Sequence, residues 1–197
     1  TDPRRQELSY DELRAAVAEA AKNGLYVAAH AHDRQGANAA VRAGVRSIEH
    51  GTYVDDETLA LMRKQGTFFV PTLAIMSPLG DPRGDAADDI ALQLRTLHMM
   101  RPLRDAVRKA RALGVTVAVG TDSSYGDRDD YGRVRPAHEI QELIGCGYTP
   151  IEAITAATYD AARVLGIEGR TGSVAVGLEA DLLVVDRDPR TDPTTLF

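Results

Sequence analysis

The stretch LYVAAHAHDRQGANAAVRAGVRSIEH, residues 25–50, decides the fold. An apolar run, 25–29, stops at His30, and an amphipathic segment, 35–43, leads through Gly44 into a second run, 45–48, that stops at Glu49 and His50. Each run is too short for a helix and reads as a buried parallel strand, while the segment between them has the length of a crossover helix. Two consecutive strands therefore each end in a histidine. Residues 115–119, VTVAV, repeat the design after another helical stretch and end at Gly120, Thr121 and Asp122. Polar residues at the C-terminal ends of successive parallel strands are where α/β barrels gather their chemistry. His30, His50 and Asp122 are thus expected to belong to one metal site.

Side-chain parity supports the grouping. Tyr26, Ala28 and His30 share one face of the first strand, and Thr116, Ala118, Gly120 and Asp122 share one face of the last. The opposite faces, Leu25, Val27, Ala29 and Val115, Val117, Val119, are apolar and suit packing under helices. In the second strand the interior face would be Arg46, Ile48 and His50, where an inward Arg46 fits less comfortably.

The wider chain sets the bounds. Its 197 residues, 44% hydrophobic and 26% charged, suit a globular protein with a sizeable core. A net charge of −6 without a basic stripe argues against nucleic-acid binding. One cysteine, Cys146, excludes an internal disulfide framework. No run approaches the ~18 apolar residues of a membrane span. The opening TDPRRQELS is no signal peptide, though a targeting signal would escape notice if the chain is truncated; cytoplasmic residence is slightly favoured.

In order, Ser9 or Asp11 caps a helix over 11–23, ended by Gly24. After the two strands, 55–64 reads as a helix and 67–73, TFFVPTL, as a strand with Pro71 at an edge or bulge. A Gly/Pro/Asp-rich loop, 77–88, is long enough to cover a substrate. A long helix over 89–113 contains Pro102, expected to kink or divide it. A second polar loop, 125–135, precedes helices over 136–146 and 150–165, each opened by a proline. From Gly172 the texture changes to GSVAVGLEADLLVVDRDP, read as short β segments. The expected domains are a partial barrel over 1–171 and, over 172–197, strands leading into an incomplete β-sandwich. Four strands with their helices make half of a (β/α)8 TIM-type barrel, which needs about 250 residues, so the chain is expected to be a fragment.

The motifs VAAHAH (27–32), SIEHGTY (47–53), VPTL (70–73), VGTDS (119–123), TPIEAITAAT (149–158) and GSVAVGLEADLLVVD (172–186) resemble the amidohydrolase superfamily, in its imidazolonepropionase-like and Xaa-Pro dipeptidase-like branch. The resemblance covers nearly the whole chain and places it at strands five to eight of the barrel. It implies that His30 and His50 bind one metal, and that Asp122 binds another while acting as general base and proton shuttle. The family's first-strand His-x-His pair and fourth-strand lysine are absent. His30-Ala31-His32 imitates the pair in letters only, and Lys22 falls within a helix. Both missing elements would lie upstream of Thr1.

The implied chemistry is hydrolysis of an amide C–N bond in a small substrate: a dipeptide, an N-acyl amino acid or a cyclic amide. A divalent metal, expected to be zinc, as one or two ions in the complete protein, lowers the pKa of bound water to about 7 and polarises the carbonyl. Imidazole and carboxylate are fitting ligands. Candidate substrate contacts are His32, Tyr53, Arg128, Arg133 and His138; the arginines suit a substrate carboxylate. The plain alternatives are a surface role for His32, packing for Tyr53 and solvation for the arginines. The complete protein is expected to be a homo-oligomer with no nucleic-acid or membrane partner. A degenerate barrel that binds a small molecule or another chain is the non-enzyme alternative.

Overall fold

The computed structural model describes residues 4–76, 88–123 and 135–197. The chain divides into two compact units, Thr1–Pro71 with Arg101–Val117, and Thr72–Met100 with Ala118–Phe197.

The first unit is α/β. It runs α1 (Tyr10–Lys22), β1 (Ala28–Ala31), α2 (Arg34–Ala43), β2 (Ser47–His50), α3 (Asp56–Gln65), β3 (Phe68–Val70). The expected cap of α1 forms: Ser9 Oγ accepts from the Glu12 N–H at 3.3 Å, and the Glu12 carboxylate accepts from the Ser9 N–H at 2.8 Å. Asp33 caps α2 by accepting from the Gly36 N–H at 2.7 Å. A Cβ at Gly36 would meet that carboxylate at 2.5 Å, so the cap requires glycine there.

The strands are parallel in the order β1-β2-β3, with Ala31 opposite His50 and Ile48 opposite Phe69. Ile48, Phe69, Val41, Ala37, Leu59 and Met62 are fully buried. Each larger side chain among them stabilises the sheet and its covering helices by about 1.5–3 kcal/mol. The ladder of β3 stops at Val70 because Pro71 has no N–H to donate. The last strand expected from the sequence contracts to one parallel bridge, Phe69 with Val117, in which the Phe69 N–H donates to the Thr116 carbonyl at 2.9 Å. Arg46 is accommodated by stacking. Its guanidinium lies 4.0 Å from the Tyr26 ring centroid and 5.4 Å from that of Phe68.

The boundary between units falls within α4 (Ile90–Leu113), between Met100 and Arg101. The helix runs through Pro102 undivided. A proline inside a helix costs about 3 kcal/mol, and the buried stripe that follows it, Leu103, Ala106, Val107 and Ala110, offsets that cost.

The second unit contains a 3-10 turn (Leu73–Ile75), α5 (Pro136–Gly145), α6 (Pro150–Ala157), α7 (Tyr159–Leu165) and a closing 3-10 turn (Pro193–Leu196). The single helix expected over 150–165 breaks at Thr158, whose backbone leaves the helical region at φ −121°, ψ −86°. The Thr158 hydroxyl donates to the Ile154 carbonyl at 2.8 Å and the Thr155 hydroxyl to that of Ile151 at 2.7 Å, local bonds of the kind that bend helices. Among the described residues, 172–197 form no strand. A strand exists only with a ladder partner, and none of the described residues pairs with this stretch. Val176 and Val184 are consequently fully exposed. Among the described residues no helix is long and apolar enough to cross a membrane. The greater part of both expected loops, 77–87 and 124–134, lies outside the described residues.

Candidate metal centre

Histidine chemistry concentrates where β1 and β2 end. The rings of His30, His32 and His50 form a near-equilateral triangle, with centroids 4.7, 4.5 and 4.9 Å apart for the 30–32, 30–50 and 32–50 pairs. One ring nitrogen from each lies within 4.8 Å of the other two. His30 is exposed, whereas His50 is buried at 9% exposure.

Backbone bonds between the two strand ends build this triangle. The Gly51 N–H donates to the Ala31 carbonyl at 2.9 Å and the Tyr53 N–H to the His32 carbonyl, also at 2.9 Å. His50 and Gly51 both adopt left-handed backbone, at φ 68° and 59°, so the chain turns sharply as it leaves β2. Only glycine suits position 51, since a Cβ would come within 2.6 Å of the Phe69 ring. The Thr52 hydroxyl, buried at 1% exposure, lies 2.9 Å from His32 Nδ1.

The donor set fits a divalent metal. Burial first, and the neighbouring His30 second, hold His50 down to about 4, so it is a neutral imidazole at pH 7, the form that ligates. Nitrogens bound to zinc at about 2.0–2.1 Å lie roughly 3.4 Å apart in a tetrahedral set. The three ring nitrogens, within 4.8 Å of one another, are spread somewhat wider than that. Imidazole ligands that leave a coordination position open make a set that can activate water.

Asp122 belongs to the second unit, exposed, at φ 51°. Its neighbours are ordered locally: Thr121 Oγ1 and Ser123 Oγ lie 2.9 Å apart, and the Val119 N–H donates to the Ala156 carbonyl at 3.0 Å. Among the described residues the non-glycine residues with positive φ are His50, Thr72 and Asp122. Such conformations cost of order 1–3 kcal/mol and cluster at functional sites. Two of the three are residues the sequence singles out as ligands.

The remaining candidates separate. Tyr53 is half-buried and anchors His32 through its N–H. His138, in the second unit, accepts from the Arg135 N–H through Nδ1 at 2.9 Å and packs edge-on against Phe197, which makes it a helix-capping group. Arg128 and Arg133 lie outside the described residues. Sequence reasoning gave His32 no place among the ligands and passed over Thr52. It placed Glu139, with His138, at the opening of a helix as a candidate support behind the ligands. This fully buried carboxylate accepts from the Leu73 N–H at 2.9 Å and the Ala74 N–H at 2.6 Å, directly after the strained Thr72. Burial pushes Glu139 up to about 8 although both N–H donors pull it down. An acidic residue beside the apolar stripe of Ala137, Ile140 and Leu143 was the available signal.

The Amidohydrolase family profile matches residues 1–197. Ochratoxinase of Aspergillus niger is 32% identical over 197 residues, spanning 97% of this chain and 38% of its own length. Imidazolonepropionase of Symbiobacterium thermophilum is 29% identical over 180 residues, spanning 90% and 37%. The crystal structure of a Xaa-Pro dipeptidase with methionine bound in its active site superposes with a TM-score of 0.84 at 31% identity, over 96% of this chain and 46% of that one. The chain thus spans less than half the length of these relatives. With the profile covering it from end to end, the chain belongs to the amidohydrolase family.

Proposed function

We propose that the protein is a metal-dependent hydrolase of C–N amide bonds in small substrates such as dipeptides, N-acyl amino acids or cyclic amides. This chain would supply strands five to eight of its TIM-type barrel. The observation that carries the reading is the convergence of His30, His32 and His50 at adjacent strand ends in a member of this family. The names of the relatives, a dipeptidase among them, support a small amide as substrate.

In this reading His30 and His50 hold the ion as neutral imidazoles. When bound, a divalent ion, zinc by the donor set, supplies hydroxide at neutral pH and polarises the scissile carbonyl. Asp122 takes the proton of the attacking water and passes it to the departing amine. Its left-handed backbone, five residues after the bridge at Val117, supports that role. Arg128 and Arg133 are proposed to receive a substrate carboxylate.

The test is Asp122→Asn in the full-length, metal-replete protein, assayed on Xaa-Pro dipeptides and N-acyl amino acids. The expected outcome is a fall in kcat of ~10²-fold or more, the usual contribution of a positioned acid-base group, with folding intact. Substitution at Arg128 or Arg133 should act on KM instead. Hydrolysis by Asp122→Asn at near wild-type rate would remove the proton-shuttle role. A wild-type protein inert towards the whole panel would remove the reading itself.

A further inference from the structure

We infer that Glu139 is a positioning residue for substrate binding: its buried carboxyl group clamps the main chain at Leu73 and Ala74 and so fixes the left-handed turn at Thr72, directly after β3. The inference rests on the hydrolase reading above and goes beyond it, because that reading gives Glu139 no part. β3 runs parallel to β2, with Val70 opposite Glu49, so the chain leaves β3 at the end of the sheet where His50 lies. The C-terminal ends of such strands are where a barrel receives its substrate.

The chain turns there under strain. Thr72 has φ 52° and ψ 45°, a backbone that a β-branched residue rarely adopts. A 3-10 turn, Leu73–Ile75, begins at once, and the side chain of Thr72 offers it no cap. The first N–H groups of such a turn have no partner within it, and Leu73 and Ala74, at 0% and 4% exposure, are shut away from water. Glu139 supplies both partners from α5: one carboxyl oxygen accepts from the Leu73 N–H at 2.9 Å, the other from the Ala74 N–H at 2.6 Å. Burying a carboxyl group is unfavourable, and an apolar side chain would fill the same space at lower cost, but only a group with two acceptor oxygens meets both donors. The clamp also serves two segments that follow strands. It joins the residues after β3 to the first turn of α5, the next described helix after Asp122, all within one compact unit. Thr72 and Asp122, which share the left-handed backbone, are thus ordered in the same unit as Glu139.

The experiment compares Glu139→Gln with the wild type in the full-length protein, on the dipeptide or N-acyl amino acid that the wild type hydrolyses fastest. Zinc content and the unfolding midpoint are measured on the same samples. Glutamine keeps the shape but meets only one of the two N–H groups with an oxygen. kcat/KM should fall by ~10²-fold, as for a positioning group displaced at a distance from the chemistry. The loss should be carried by KM, with kcat and bound zinc close to wild type. A merely structural carboxyl would lower the midpoint and leave both constants of the folded enzyme unchanged, and that result would overturn the inference. So would a loss carried by kcat or by zinc. Should Glu139→Gln fail to fold, hydrogen exchange in the wild-type segment 71–76 decides. The product amino acid, at inhibitory concentration, should slow that exchange several-fold, and exchange unaffected by it would overturn the inference. A wild type inert towards every substrate of the panel would overturn the hydrolase reading, and the inference with it.

Discussion

Residues 25–53 and residues 172–197 both read as β-forming sequence, yet the first builds two paired strands and the second none. In the first stretch each strand has a neighbour within one crossover helix: Ile48 is fully buried, with Ala29 on one side and Phe69 on the other. In the second, Val174, Val176, Leu183 and Val184 stand at 87–107% exposure. Alternating apolar residues specify a strand only where another strand supplies the ladder; otherwise they remain exposed side chains. The strained turn at His50 and Gly51 exists because the ladder beneath it is complete.

Substitutions sharpen the contrast. The largest loss is expected from Ile48→Ala, about 2–5 kcal/mol for a fully buried large-to-small change, read from the urea unfolding midpoint of the 197-residue chain. Gly51→Ala follows, at about 1–3 kcal/mol, because its Cβ collides with the Phe69 ring. In the full-length protein it should weaken metal binding too, since His50 must shift with the turn.

Glu139 gives a smaller effect that depends on pH. Its folded value, about 8, lies above the ordinary carboxylate value of 4.5, so the protonated form is favoured by folding. The stability it contributes is complete below pH ~4.5 and is lost as pH rises through about 8. Glu139→Gln should therefore flatten the decline in unfolding midpoint between pH 5 and 8, and a decline as steep as wild type would reject this account of the carboxyl. The least change is expected from Val184→Ala, within ±0.5 kcal/mol, as for other exposed positions. A loss of 2 kcal/mol or more there would break the contrast, by showing that residues 172–197 find a ladder partner after all.

The histidine strand ends were legible because they are local. A five-residue apolar run closed by His30, and another closed by Glu49 and His50, carry fold and chemistry in the same few letters. The place of His32 was not legible, since it depends on a side-chain bond to Thr52 twenty residues away. His32 shares the parity of His30 but lies one step further into the loop. The last strand was overread because VTVAV shows its apolar pattern but not the short, proline-ended β3 that limits its pairing to Val117. Glu139 was hidden for a similar reason: its partners are main-chain N–H groups 65 and 66 residues earlier, which no spacing rule connects to it.

The central claim is that a metal held at the histidine triangle drives amide hydrolysis, and metal removal tests it most directly. The full-length protein, stripped by a chelator and dialysed, would be assayed on a Xaa-Pro dipeptide before and after stoichiometric zinc, beside His50→Ala treated identically. Activity should vanish on stripping and return with zinc in the wild type, while His50→Ala stays inactive at the same zinc concentration. Full activity in the stripped protein, or zinc-restored activity in His50→Ala equal to wild type, would contradict the claim.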